Sequence, residues 1–353
     1  MKLVMLLIIF FFSCCITKNA QAVYVDSNMG NDKNPGTKEA PFHSLQKAAE
    51  IIGSVDNNIF TIKINPGIYI LDHHLPVKTE KELLNKRIII EASILPGDTS
   101  WTPNKMPVID CKAMKGEISA HDNFVVGFLI KQSHVTIRGL KFHGYFYPHV
   151  RYFPVARFDK SKTDLLVEQC LFVGDANISQ IQSGVIAHGD EVLINHCVFY
   201  GTRNTVVFFM DSGNGIKEGN GIINSIIYGV SHGVWVVAPD KDFRFENNIV
   251  SNCRYVFVKS KSNPTKYSMK NCIVVNNKYF TGMPNDKQLV PDDFEIEENN
   301  ITKEGSVTLV LTGVNEKPFL DEIEMPLPVN YMHPIDGSLG SNLDAGLFMK
   351  KDL

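Results

Sequence analysis

A short apolar motif recurs through the middle of the chain and restricts the possible folds more than any other feature. Each copy has two brief apolar segments separated by a polar residue, as in residues 166–172 and 193–199. The last apolar residues of the copies are residues 142, 172, 199, 227, 250 and 274, at steps of 30, 27, 28, 23 and 24 residues. Another apolar segment precedes each copy. Three short strands in each repeat predict a single-stranded parallel β-helix, because the hairpins of a β-sandwich recur at shorter steps.

Polar residues at equivalent places in the repeats predict two internal ladders. One set should stack as small buried side chains inside the coils, with a disulfide between adjacent coils as the alternative; it comprises Cys170, Cys197, Ser225, Asn248 and Cys272. The other should form an amide ladder that satisfies backbone groups of a turn, and it comprises Gln169, His196, Asn224, Asn247 and Asn271. Two of the seven cysteines lie in the predicted signal segment; the other five, an odd number at wide spacing with no C-x-x-C pair, indicate neither a disulfide framework nor a zinc site.

Both ends of the repeat region differ from the coils. Residues 44–52 place Leu45, Ala48 and Ile52 on one helical face behind a candidate N-cap, Ser44, which predicts a short capping helix. Residues from about 279 onward lose the repeat and become rich in proline and acids, which predicts an irregular C-terminal cap along the flank. We therefore expect an N-terminal cap at 23–60, coils at 60–278 and a C-terminal cap at 279–353.

The first 22 residues have the features of an export signal. Lys2 precedes an apolar run at residues 3–12, and Ala20-Gln21-Ala22 provides small residues at a cleavage site. The run is shorter than the roughly 20 residues that span a bilayer, so no membrane insertion is expected. We expect a secreted or periplasmic protein; a lipid anchor at Cys14 or Cys15 is the alternative. A net charge of −3 argues against a nucleic-acid partner, and a monomer is expected.

Sequence motifs at the two ends resemble those of the pectate-lyase-like superfamily. Residues 24–37 read YVDSNMGNDKNPGT, Pro41-Phe42 follows, and residues 344–348 read DAGLF, similar to segments that open and close such chains. The resemblance implies a right-handed parallel β-helix, an all-β fold, that is exported. Members include uronate lyases, glycoside hydrolases, epimerases and non-catalytic surface proteins, so the resemblance does not fix a reaction.

The catalytic motifs of two such enzyme groups are incomplete here. The repeat region has no acid cluster of the kind that holds Ca²⁺ in pectate lyases, so we expect no metal and no cofactor. Residues 231–234 are similar to the G-H-G motif of polygalacturonases, and residues 256–259 resemble R-I-K. The acid motifs are absent, since Arg203-Asn204 and Gln182-Ser183 stand in their places. A hydrolase without these carboxylates can neither protonate the leaving group nor activate water.

Charged residues after the first strand of each coil predict a groove along the helix axis. They comprise Lys131, Arg157, Asp159, His188, Asp190, Asp211, Asp240 and Lys259. Adjacent coils lie roughly 4.8 Å apart, so these side chains would line one surface. For a lyase we assign His188 as base, with Arg157 and Lys131 neutralising a substrate carboxylate. For a hydrolase the acids would be Asp190 and Asp211. The alternative is a solvated strand edge with ordinary charges.

One long loop has the composition of a sugar-binding segment. Residues 143–152 contain four aromatic rings, two histidines and an arginine, which suit stacking and hydrogen bonding to a glycan. A hydrophobic flap that seals the flank of the coils is the alternative. The predicted substrate-binding residues are Tyr145, Tyr147, His149, Arg151, Tyr152, Arg203, His232 and Lys259. The leading hypothesis is a lyase or hydrolase of an acidic extracellular polysaccharide; a non-catalytic glycan-binding β-helix is the alternative.

Overall fold

The chain forms a stack of coils made almost entirely of short strands. The computed structural model describes residues 21–52, 59–79, 86–111, 124–146, 150–175, 177–209, 219–236, 243–258, 265–282, 294–312 and 326–349. The predicted signal peptide, residues 1–22, therefore lies almost wholly outside the described residues. Among these residues, no helix is long and apolar enough to cross a membrane.

The regular elements are one α-helix, one 3₁₀ turn and a series of strands in the described part of the chain. The helix is α1 (Leu45–Ile52) and the 3₁₀ turn is Pro103–Lys105. The strands, in chain order, are β1 (Gln21–Val25), β2 (Ile59–Ile64), β3 (Ile68–Leu71), β4 (Leu75–Val77), β5 (Ile88–Ala92), β6 (Val108–Cys111), β7 (Phe124–Ile130), β8 (Val135–Arg138), β9 (Lys141–His143), β10 (Arg151–Arg157), β11 (Leu165–Glu168), β12 (Leu171–Val173), β13 (Ser183–Ala187), β14 (Val192–Asn195), β15 (Val198–Tyr200), β16 (Asn204–Phe208), β17 (Gly221–Ile223), β18 (Ile226–Tyr228), β19 (His232–Val236), β20 (Arg244–Glu246), β21 (Ile249–Ser251), β22 (Tyr255–Val258), β23 (Thr265–Val275), β24 (Tyr279–Gly282) and β25 (Phe294–Thr302).

These strands stack into three parallel faces, which confirms the predicted parallel β-helix. Face A consists of β1, β2, β5, β8, β11, β14, β17, β20, the first part of β23, and β25. Face B consists of β3, β6, β9, β12, β15, β18, β21 and the last part of β23. Face C is the eight-stranded sheet of β4, β7, β10, β13, β16, β19, β22 and β24. Each coil therefore contributes one strand to each face in the order A, B, C.

The core runs through the centre of the stack because alternate residues of every strand point inward. On face A, Val167 pairs with Ile137 on one side and with Ile194 on the other, and all three are buried. On face B, the rings of Phe172 and Phe199 stack with centroids 4.6 Å apart and an interplanar angle of 2°. Similar side chains thus fall into register from coil to coil, which is why the sequence repeats.

The turn from face A to face B uses residues with left-handed backbone. Asn224 and Asn247 have φ of 50° and 53°, a region that asparagine tolerates better than most residues. Their amides form part of the predicted ladder: Asn247 Nδ2 donates to Asn224 Oδ1, and Asn224 Nδ2 donates to Asn195 Oδ1, each at 2.9 Å. Gln169 and His196 share this backbone conformation, but their side chains bond to the C-terminal segment instead.

The second predicted ladder is present inside the coils. Cys170, Cys197 and Cys272 are buried and free, as predicted. Ser225 Oγ accepts a hydrogen bond from Cys197 N, and Asn248 Oδ1 accepts one from Ser225 N. Small polar side chains are therefore retained here because they satisfy turn amides of the neighbouring coil.

The predicted helix packs at the N-terminal end of the stack. Leu45, Ala48 and Ile52 of α1 are buried in the main core, against the first strands. Ser44 Oγ accepts a hydrogen bond from Lys47 N, the arrangement expected of an N-cap.

The C-terminal segment lies along the flank of the coils, over the outer side of face B. Outward-facing residues of face B such as Leu171, Val198 and Ile226 are buried against Met332 and Leu347. Backbone bonds fix the contact, because Gly346 N donates to Asn224 O at 2.9 Å and Gln169 Nε2 donates to Leu347 O at 2.8 Å.

The predicted end of the coils at residue 278 is wrong. Strand β24 pairs with β22, and β25 pairs with β23, so the stack continues to residue 302. The proline- and acid-rich residues that interrupt the pattern fall at 283–293, outside the described residues, and the strand pattern resumes after them.

Candidate functional site

The outer side of face C carries four of the described residues that the sequence marked as functional, which are Lys131, Arg151, His188 and Arg203. Its strands are in register, so Asn204 pairs with Ser183 and His232, and Tyr255 pairs with His232 and Tyr279. Five residue steps lead from Ser183 to His188 along β13 and its end, so the two edges of the face are about 17 Å apart.

The N-terminal edge of face C carries a row of cations, which we call the cationic edge. It consists of Arg151, Arg203, Arg254 and Lys278, all exposed at the start of β10, β16, β22 and β24. Arg203, Arg254 and Lys278 each immediately precede a residue of one register row. At about 4.8 Å per coil, Arg203 and Arg254 lie about 10 Å apart along the axis, and Lys278 lies one coil further.

A row of inward-facing side chains lies directly beside the cationic edge, since Asn204 and His232 each lie two residues before a core residue, Val206 or Val234. His232 is 6% exposed, so the prediction that it contacts a substrate is wrong. His232 Nδ1 is 2.8 Å from Asn204 Oδ1, and Asn204 Nδ2 donates to Ser183 Oγ at 3.2 Å. The ring of Tyr255 stacks on Tyr279 with centroids 5.1 Å apart. Lys278 Nζ lies 5.3 Å from the centroid of the Tyr279 ring, and the guanidinium of Arg254 lies 5.6 Å from that of Tyr255. The ring faces thus position the cations at the surface.

The opposite edge of face C is mainly aromatic, and we call it the aromatic edge. It consists of Lys131, Phe158, His188 and Phe209, which follow β7, β10, β13 and β16. The imidazole of His188 stacks on Phe209, with centroids 3.9 Å apart and an interplanar angle of 7°. The ring of Phe158, one coil before His188, contacts the His188 ring edge-on, and the Phe158 side chain is 40% exposed. Lys131 and His188 therefore share an outer surface, but they lie two coils apart with Phe158 between them.

The prediction that Arg157 and Asp190 line an open groove is wrong. Arg157 pairs with Ala187 at an inward position of the strand, and its side chain is fully buried. Its Nε donates to His188 O at 2.8 Å, and its Nη2 donates to Asp190 O at 2.7 Å. Burial lowers the pKa of Arg157 to about 10, although nearby carboxylates such as that of Asp190 oppose this shift. The Asp190 side chain is also buried. Both residues hold the turn from face C to face A, so neither can contact a polymer in solution.

Two predicted binding residues in the long loop are also core residues. Tyr145 and Tyr152 are buried, and their ring centroids lie 5.8 Å apart. Burial raises the pKa of Tyr152, whose hydroxyl accepts a hydrogen bond from Cys111 Sγ at 3.3 Å. The alternative interpretation, in which the loop seals the coils, describes these two rings correctly. Arg151 and Phe146 of this loop are exposed.

Several predicted site residues lie outside the described residues. They are Tyr147, His149, Asp211, Asp240 and Lys259. Among the residues that the structure describes, no group of three or more histidine, cysteine, aspartate or glutamate side chains could hold a metal ion.

Arg254 and Lys278 are not among the residues predicted from the sequence. Both stand immediately before a face C strand, at the position that Arg203 occupies two coils before Arg254 and three coils before Lys278. The repeat contained this signal, because each lies one residue before an aromatic residue of the register row, Tyr255 or Tyr279. The predicted groove includes only charged residues that follow these strands, so it leaves out the row that precedes them.

A protein-family model agrees with the observed fold. Residues 126–301 match the protein family described as "Right handed beta helix region". No curated protein sequence matches the chain. Among solved structures, a rhamnogalacturonan lyase is similar at 16% identity over 73% of this chain and 69% of that chain, with a TM-score of 0.44. A GH136 lacto-N-biosidase from Eubacterium ramulus is similar at 9% identity over 72% of this chain and 55% of that chain, with a TM-score of 0.37.

Proposed function

We propose that this right-handed parallel β-helix chain is a secreted protein that binds an acidic polysaccharide along the cationic edge. The β-helix keeps side chains of successive coils at a fixed spacing, which suits a polymer whose own groups recur along its length. Export is supported by the apolar run and the small residues at the cleavage position, and we propose that the mature protein acts as a monomer outside the cell.

The observation that carries this proposal is the alignment of Arg203, Arg254 and Lys278 on one exposed edge. A row of positive side chains raises the local concentration of a polyanion and favours an orientation parallel to the axis. A neutral polysaccharide would gain nothing from the cations, so carboxylated or sulfated glycans are the favoured class.

Binding is tested by retardation of the folded protein in gels that contain uronate polymers, sulfated polymers or neutral polymers. A variant with Arg203→Gln, Arg254→Gln and Lys278→Gln should bind acidic polymers about tenfold more weakly, since each exposed ion pair contributes roughly 0.5 kcal/mol. Lys131→Gln removes an exposed cation from the other edge and serves as the matched control. Equal loss of binding in the control and the triple variant would overturn the assignment of the edge.

Cleavage of the bound polymer is the second candidate function. The observation that favours it is the half-buried His188 on the same outer face as the exposed Lys131. In an eliminating lyase a base removes the proton beside the uronate carboxylate, a carbon–carbon double bond forms at the new unsaturated end, and the bond to the leaving sugar oxygen breaks as that oxygen takes up a proton. The burial of Arg157 removes one predicted cation from this chemistry, so binding without cleavage is the function that the geometry supports better.

The two candidates differ in their products. Incubation with uronate and neutral polysaccharides, followed by absorbance of unsaturated ends and by reducing-sugar assay, detects lyase and hydrolase activity respectively. Activity that disappears in His188→Ala but persists in the exposed-site control His73→Ala would establish cleavage. Binding with no product from any polymer would establish the non-catalytic function.

A further inference from the structure

The outer side of face A carries a long depression that the proposed function does not use. Its floor is formed by Ile89, Thr136, Leu166 and Leu193, which are paired in register on consecutive coils. Three coil steps of about 4.8 Å make this floor about 14 Å long, parallel to the axis. The depression has a volume of about 600 Å³. We call it the face A trough.

One wall of the face A trough is built around a histidine and an aspartate. His134 Nδ1 lies 2.6 Å from Asp164 Oδ2, and Arg87 Nη2 donates to the same oxygen. Arg87 Nη1 also donates to Thr136 Oγ1 at 3.0 Å. Hydrogen bonds from Arg87 and His134 hold the pKa of Asp164 below its ordinary value, although partial burial alone would raise that pKa. Asp164 thus occupies Nδ1 of His134, whereas Nε2 has no partner among the described residues and can form a hydrogen bond with a ligand.

The other wall is a ladder of paired charges. Arg138 lies between Glu91 and Glu168, with Nε donating to Glu91 Oε2 at 2.9 Å and Nη1 lying 3.6 Å from Glu168 Oε2. Lys63 also contacts Glu91, and Asn195 Nδ2 donates to Glu168 Oε1 at 2.7 Å. All of these groups sit at one register position of successive face A strands.

Most charges of the walls are paired, although the lining also includes the exposed carboxylate of Glu191. Three cations, Arg87, Arg138 and Lys63, are paired with three carboxylates, those of Asp164, Glu91 and Glu168. A charged ligand would have to break these pairs, which costs free energy that its own attraction does not recover. Polar walls on either side of an apolar floor fit a ligand with C–H surfaces and many hydroxyl groups but no charge.

We infer that the face A trough is a second carbohydrate-binding site, which takes an uncharged oligosaccharide or an uncharged stretch of polysaccharide. The sugar C–H faces lie on Leu166 and Leu193, and the hydroxyls bond to His134 Nε2 and to the remaining lone pairs of the wall carboxylates. This site is independent of the cationic edge, because it lies on a different face. It takes an uncharged glycan, whereas the cationic edge takes an acidic one.

The test measures retardation of the folded protein in gels that contain neutral polymers such as galactan, arabinan, xylan or glucomannan. Leu166→Asp and Leu193→Asp each place a charge on the floor and should weaken binding of the recognised polymer about tenfold. Ile70→Asp introduces the same charge on an exposed isoleucine of face B and should leave binding unchanged. Thermal unfolding of each variant verifies that it is folded.

Two measurements remain decisive if a floor variant does not fold. His134→Gln removes the imidazole Nε2 with little change in volume and should also weaken binding. The control variant His73→Gln should leave binding unchanged. In the unmodified protein, binding to the neutral polymer should be insensitive to an increase in salt from about 0.05 to about 0.5 M, which screens exposed charges. The inference is wrong if no neutral polymer retards the protein, or if salt abolishes the retardation, or if neither floor variant nor His134→Gln weakens it.

Discussion

Protonation of His333 should weaken the attachment of the C-terminal segment to the coils. His333 is buried, its Nδ1 lies 2.9 Å from Tyr331 O, and its Nε2 accepts a hydrogen bond from Leu347 N at 2.8 Å. A neutral ring with its proton on Nδ1 satisfies both contacts. A second proton on Nε2 would point at the N–H of Leu347, so the charged form loses this bond. Burial, with a smaller contribution from His196, lowers the pKa of His333 from 6.5 to about 4.

The size and sign of the effect follow from the difference between the folded and unfolded states. Between pH 6.5 and about 4 the unfolded chain binds one more proton at this site than the folded chain, so the free energy of unfolding falls as the pH falls. Each pH unit is worth about 1.4 kcal/mol, and the whole interval is worth about 3 kcal/mol. The contribution is complete above pH 6.5 and absent below about 4.

Urea unfolding at pH values between about 7 and about 4 measures this contribution. His333→Gln cannot titrate, so its free energy of unfolding should fall by about 3 kcal/mol less than that of the unmodified protein over this interval. Carboxylates titrate in both proteins and cancel in the comparison. The exposed-site control His73→Gln should keep the full pH dependence. If the free energy of unfolding has the same pH dependence in His333→Gln and in the unmodified protein, then His333 does not have the lowered pKa.

Three further predictions concern the interior of the stack. Phe172→Ala opens a cavity between the stacked rings of Phe142 and Phe199 and should lower the free energy of unfolding by about 3–5 kcal/mol in urea titrations, whereas Phe146→Ala at a 65% exposed ring should change it little. Asn224→Ala removes two ladder hydrogen bonds and forces alanine into left-handed backbone, so it should cost about 2–4 kcal/mol; Asn224→Gly removes only the bonds and should cost less. The five buried cysteines should resist a thiol reagent in the folded protein and react only on unfolding; rapid reaction under native conditions would show that the coils are not packed as described.

The fold was predictable because its cause is local and repeated. Each coil must place apolar residues such as Ile137, Val167 and Ile194 at the same inward position, so the pattern is visible in the sequence. The short helix was predictable from the helical spacing of Leu45, Ala48 and Ile52 behind Ser44. The continuation of the stack to residue 302 was not, since residues 283–293 interrupt the pattern and the sequence alone cannot distinguish an insertion from an end.

The candidate site was harder to predict because it depends on which way each side chain points. Arg157 and His188 are charged or polar residues at the ends of neighbouring strands. Arg157 pairs with Ala187, one residue before His188, so the Arg157 side chain points inward and the His188 side chain points outward. Tyr145 and Tyr152 have the composition of a binding loop, yet their rings fill space beside the coils. Face and burial depend on contacts between coils, which the order of residue types along one coil does not determine.

A crystal structure of the protein with a bound uronate oligosaccharide would show whether an acidic polysaccharide lies along the cationic edge. We expect the sugar carboxylates within about 4 Å of the charged groups of Arg203, Arg254 and Lys278, with the sugar chain parallel to the helix axis. An oligosaccharide bound at the aromatic edge or in the face A trough, with these three side chains left in solvent, would contradict this expectation.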